Sequence, residues 1–223
     1  MPAHFTPALF AYLRALKANN TREWFQDNRD RYAADVEAPM LRFIADLAPQ
    51  LRAISPSIVV DARRSGGSMY RIHRDTRFSS DKSPYKTHVA AHFKNEQRKK
   101  APSVPGFYLH LGPGDSMGGG GIYHPDMPTL TRIRRGIVDD TRGWAQVKLT
   151  GIEIEGARLT RAPAGFDANH KFIDDLRLKD FYAMTTFTQA HVCADDFLER
   201  YVATCRDVAP LVAFLTKALG WRW

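Results

Sequence analysis

The sequence predicts an α+β fold in a single domain: a mainly antiparallel sheet covered on one face by N-terminal and C-terminal helices. Three observations predict it. Apolar residues recur at three- and four-residue spacing in the first quarter of the chain and again near its end. Between them, short stretches alternate apolar and polar residues and are separated by Gly, Pro, Ser and Asp. No repeat, low-complexity tract or long linker divides the 223 residues.

The elements follow in order. Residues 5–53 read as helical: Thr6 and Pro7 start a helix with Leu9, Phe10, Leu13 and Leu16 as its stripe. In "NNTREWF", Asn20 or Thr21 caps a second helix, and Glu23 follows Asn20 at capping-box spacing. Pro39 marks a break or first turn before a third stripe of Leu41, Ile44, Leu47 and Leu51. Residues 58–124 are strand-rich, with "SMYRI", "HVAAHFK", "GFYLHLGP" and "GGGIYHP" as strands. Residues 126–190 mix a helix capped by Asp126, a short helix near Gly143–Lys148, and the strands "ARLTRAP" and "DFYAMTTFTQ". Residues 195–219 form the last helix, with Asp196 and Glu199 as a capping box, Pro210 bending it and Gly220 ending it.

Alternation assigns faces to the strands. Tyr70, Ile72, Val89, Ala91, Phe93, Phe107, Leu109 and Leu111 make the apolar face. Arg71, His73, His88, His92, Tyr108 and His110 make the polar one.

Composition excludes several classes. Hydrophobic content of 44% and charged content of 25% suit a folded globular chain. No apolar run is long enough to span a bilayer, and the N-terminus has helical periodicity where a signal peptide would have a basic segment and a small-residue cleavage site. A cytoplasmic protein with no membrane partner is the expectation. Cys193 and Cys205 lie in what reads as one helix, roughly 18 Å apart, too far for a disulfide.

The net charge of +8 is concentrated. Residues 63–100 hold 11 Lys/Arg against 3 Asp/Glu, and the remainder of the chain balances at 21 of each. A local block of this kind focuses its field on one surface. Its centre is "RIHRDTRFSSDKSPYKTH". There Arg71, Arg74, Arg77, Lys82 and Lys86 are candidates to clamp a phosphate or carboxylate, with Tyr85 and Ser79 or Ser80 as neutral partners. Asp75 or His73 would handle protons. The competing reading is internal pairing, Asp75 with Arg77 or Arg74 and Asp81 with Lys82.

The same stretch, with "NNTREWF" before it and "PGFYLHLGP" and "GGGGIYHP" after it, resembles a family of bacterial and fungal conserved hypothetical proteins, domain of unknown function 2461. "RAPAGFDANHKFIDDLRLKDF" extends the likeness over nearly the whole chain. Its hallmark falls on Arg74, Asp75, Arg77, Phe78, Asp81, Lys82 and Tyr85. The resemblance implies that these positions matter and leaves the chemistry open.

Gly118–Gly121 allow close backbone approach, and Gly119 and Gly120 are candidates to cradle a phosphate; packing under an aromatic ring is the alternative. No P-loop or dinucleotide fingerprint is present. His73, His88, His92 and His110 have no carboxylate or thiolate in their cluster except Asp75, and the surrounding positive charge repels a cation, so neither metal nor cofactor is implied. Acid–base work suits one of them better, because nearby cations keep a histidine neutral. The leading functional expectation is a basic pocket for an anionic small molecule, with acid–base or phosphoryl chemistry. The alternatives are nucleic-acid binding, using basic residues interleaved with Tyr70, Phe78, Tyr85 and Phe93 and the tip Arg98, Lys99 and Lys100, or a structural protein whose arginines are braced by acids of the helices.

Overall fold

A computed structural model describes residues 2–97 and 103–223. The basic tip Arg98, Lys99 and Lys100 lies outside the described residues. Helix α1 (Pro7–Ala18) starts on the preset φ of Pro7 and buries Leu9, Phe10, Tyr12, Leu13 and Leu16. Helix α2 (Arg22–Asp27) is capped by Thr21, whose Oγ1 accepts the Trp24 N–H at 3.2 Å. Of the two expected caps Thr21 is the one used, and Asn20 is left for another contact. Helix α3 (Arg29–Tyr32), a π-helical turn (Ala33–Glu37) and α4 (Ala38–Ile54) follow one another directly. Pro39 sits in the first turn of α4, immediately after the π-helical turn, so the helix runs on through it without the break the sequence suggested.

Strands β1 (Val89–Lys94), β2 (Gly106–Leu111), β3 (Ser116–Ile122) and β4 (Phe181–Phe187) form one antiparallel sheet in chain order. The alternation is as expected: Val89, Ala91, Phe93, Phe107, Leu109 and Leu111 are buried on one face. His88, His92, Tyr108 and His110 take the other parity.

Two expected strands are not built. "SMYRI" meets the edge of β1 only briefly, through Tyr70 N–H to Ala90 O and His92 N–H to Ser68 O, both 2.9 Å. It then turns away so that Ile72 O accepts from Lys86 N–H, and the ladder stops. Its alternation fails with it: Met69 and Ile72 are buried, whereas Tyr70 is exposed and stands beside His92. "ARLTRAP" makes a single bridge, Arg158 to Leu178.

Between β3 and β4 lie α5 (Met127–Asp139), α6 (Thr141–Leu149) and the short α7 (Ile173–Leu176). Asp126 caps α5 by accepting the Thr129 N–H at 2.9 Å. After β4 come α8 (Gln189–Val192) and α9 (Phe197–Ala218). The capping box expected at Asp196 and Glu199 does not form, because the Asp196 carboxylate pairs with Arg200 one turn on. Cys193 follows α8 and Cys205 lies inside α9, so they belong to different elements; both are free thiols.

Helix α9 is the centre of the molecule. It lies against β3, and α4, α5 and α6 pack around its other sides. Phe43 of α4 sits on Tyr201 and Phe197 at ring separations of 5.8 and 5.6 Å, and Trp144 of α6 sits on Phe214 at 5.0 Å. Rings of this size contribute roughly 1.5–3 kcal/mol each when fully buried.

The glycines of β3 permit this. A Cβ on Gly118 would stand 2.7 Å from the Tyr201 ring, and one on Gly120 2.9 Å from Val212 Cγ2. The expected alternative, a glycine face under an aromatic ring, describes Gly118. With α9 on one face, the opposite face of the sheet is left for the site.

Candidate functional site

The uncovered face of the sheet is a half-open cleft of about 630 Å³. Small-molecule sites occupy roughly 300–1,000 Å³. Register explains its shape. Across the sheet, Lys94, Gly106, Gly121 and Tyr182 stand in one row, and His92, Tyr108, Gly119 and Met184 in the next. The glycines of β3 form a low floor between a wall of His92 and Tyr108 and a wall of Tyr182 and Met184. A Cβ on Gly119 would meet Met184 Sδ at 2.7 Å, and Gly121 has φ of 141°, which only glycine adopts freely. Tyr70 and Tyr123 also line it.

The charge of the cleft is one-sided. Among its described lining residues are Lys86 and Lys94 and no carboxylate. Lys86 Nζ donates to Arg71 O at 2.8 Å and stands 5.3 Å from the centre of the Tyr70 ring, with Lys94 Nζ at 5.9 Å. Burial, aided by the Arg71 cation, lowers the Lys86 pKa. Burial pushes His92 down to about 3 and His88 down to about 4, so both are neutral at pH 7. Burial also raises Tyr70 and Tyr182, and lifts Tyr108 to about 12, so the phenols keep their protons.

Two phenol–imidazole pairs result: Tyr70 Oη lies 3.1 Å from His92 Nδ1, and Tyr108 Oη lies 3.3 Å from His110 Nδ1. His110 Nε2 is 3.2 Å from Asp115 Oδ2, and the His88 ring stacks on His110 at 4.1 Å. Among the described residues no group of three His, Cys, Asp or Glu side chains is placed to hold a metal ion. No helix among them is long and apolar enough to cross a membrane.

The residues singled out in the sequence separate into two places. Lys86 and Gly120 line the cleft, and Gly119 lies in its floor. Arg71 lies outside the lining and meets Lys86 through its backbone carbonyl. Arg74, Asp75, Arg77 and Lys82 belong to a loop outside the lining. Arg74 pairs with Asp81; Arg77 holds Asp75 at 2.7 Å; Lys82 Nζ donates to Thr76 O at 3.0 Å. Hydrogen bonds from Arg77 lower Asp75 to about 2, which makes it a weak proton acceptor at neutral pH. The acids that meet these arginines come from the loop itself and not from the helices. Tyr85 is buried, its ring stacked on Phe25 at 4.2 Å, and His73 sits beside it at 5.3 Å. Phe78, at the loop tip, is 96% exposed.

The far wall was not legible as a site. The parity of Tyr182 and Met184 in "DFYAMTTFTQ" carries the signal, but their pairing with the glycine strand is a long-range fact. Asp115 likewise needs the β2–β3 turn to bring it back to His110.

Compared with known proteins, residues 8–214 match the model of a family described as "Conserved hypothetical protein (DUF2461)". No curated protein and no solved structure matches the chain.

Proposed function

The chain belongs to the conserved hypothetical family DUF2461, and we propose that its cleft binds an anionic small molecule with a planar or apolar body. The observation that carries this reading is a lining of four tyrosines and two lysines with no carboxylate among the described residues. The anionic end, phosphate or carboxylate, faces Lys86 and Lys94. The planar body lies over the glycine floor between Tyr108 and Tyr182. On this reading the basic loop is the brace that holds Lys86, since its ion pairs close the chain just before that residue. Acid–base chemistry suits neutral imidazoles and protonated phenols.

A thermal-shift screen tests it, with phosphate, aryl carboxylates, aryl phosphates, nucleotides and short oligonucleotides at low and moderate salt. A ligand at a hundred times its Kd adds about 2.7 kcal/mol. Stabilisation by aromatic anions, lost in Lys86→Ala and retained in Arg77→Ala, supports the cleft. The reverse pattern moves the site to the loop. Stabilisation by oligonucleotides alone, collapsing with salt, favours nucleic-acid binding around exposed Phe78.

A further inference from the structure

The cleft contains two tyrosine–histidine pairs, and one of them, Tyr108 with His110, continues to a carboxylate. Asp115 reaches His110 because the turn after β2 returns the chain within five residues. Its carboxylate accepts from His110 Nε2 at 3.2 Å, which places the ring proton on Nε2 and leaves Nδ1 bare. Nδ1 then accepts from the Tyr108 hydroxyl at 3.3 Å. The phenol oxygen, with its proton directed at His110, is left to receive a proton from whatever occupies the cleft. The chain of groups runs from a half-exposed carboxylate, through an imidazole only 12% exposed, to a phenol that lines the cleft.

We propose that Tyr108 is the catalytic proton-transfer residue of the cleft, with His110 and Asp115 as the relay behind it and a hydroxyl-bearing ligand as its substrate class. This rests on the cleft being a ligand site. In the forward step the ligand O–H bond breaks and its electron pair stays on the ligand oxygen. Its proton goes to Tyr108 Oη as the Tyr108 proton passes to His110 Nδ1. The imidazolium keeps its Nε2–H on Asp115, and the new oxyanion faces Lys86 and Lys94. The reverse step returns the proton.

Tyr108 needs the relay because burial holds its own pKa near 12, so it gives up its proton only to a partner that takes it in concert. The groups facing His110 are consistent. His88 stacks on it and is neutral at pH 7, Met117 lies opposite it on β3 and carries no charge, and Asp115 supplies a negative charge in contact.

The probe is 4-nitrophenol, whose ionisation is read by its colour. When bound to the wild-type protein it should ionise at a pH about one unit below that of the free phenol, a tenfold change in its acid constant. Asp115→Asn keeps an acceptor for His110 but removes the charge, and His110→Gln removes the shuttle. Both should bind the probe and lose most of that shift. Equal shifts in wild type and both variants would overturn the relay while leaving the cleft intact. If the wild-type protein does not bind the probe, the cleft reading fails for this class. The relay is then decided by the ring-nitrogen NMR signals of His110. A fixed Nε2–H tautomer that is lost in Asp115→Ala supports it, and mixed tautomers in the wild type refute it.

Discussion

The side-chain amide of Asn20 closes a two-bond ring on the backbone of Tyr85: Nδ2 donates to Tyr85 O at 3.0 Å, and Oδ1 accepts the Tyr85 N–H at 3.1 Å. One residue thus ties the start of α2 to the end of the basic loop, next to Lys86. A strand edge would satisfy Tyr85 in the same way, and Asn20 takes its place.

Asn20→Ala should cost about 1–3 kcal/mol, because two partly buried backbone groups lose their partners. Urea denaturation measures it. Hydrogen exchange at Tyr85 should accelerate more than at the α9 amides. An unchanged midpoint would mean that the loop is held by other contacts.

Gly118→Ala should lower stability by about 1–3 kcal/mol, since its Cβ would press on the Tyr201 ring. A Tyr201→Leu background should remove part of that cost, and the double-mutant cycle measures the coupling.

Trp144 Nε1 donates to Asp175 Oδ2 at 2.8 Å, and Lys148 reaches the other carboxylate oxygen at 3.1 Å. Asp175→Ala leaves a buried indole N–H without its acceptor and should cost about 2–3 kcal/mol. Asp175→Asn, which can still accept from Trp144, should cost less. Thermal unfolding of the two variants distinguishes them.

His88 and His92 make stability depend on pH in a definite direction. Their folded pKa values, about 4 and 3, lie below the ordinary histidine value of 6.5. The folded state therefore binds fewer protons than the unfolded one in that interval. Their contribution is complete above pH 6.5 and is lost as pH falls toward 4 and then 3. The loss should be on the order of 2 kcal/mol once solvent screening is allowed for. His92→Gln should flatten this limb in a series of denaturation curves between pH 7 and pH 4.

Local rules determined much of this protein. The helix starts at Pro7, Thr21 and Asp126 follow from capping chemistry, and the parity of His88, His92, Tyr108 and His110 follows from the two-residue period of a strand. The charge block was legible by counting. What the block does was not, because whether Arg77 faces a ligand or Asp75 depends on how a loop closes, and both readings use the same residues. The mistaken face for Tyr70 has a similar origin. Period two holds only while a ladder continues, and this one stops after a few bonds at the edge of β1. The cleft itself was decided entirely by tertiary structure. Its floor exists because α9 occupies the opposite face of the glycine strand, its far wall because β4, some sixty residues later, pairs with β3. Such partners are chosen by the burial of whole faces, a cooperative quantity that no local stretch of sequence contains.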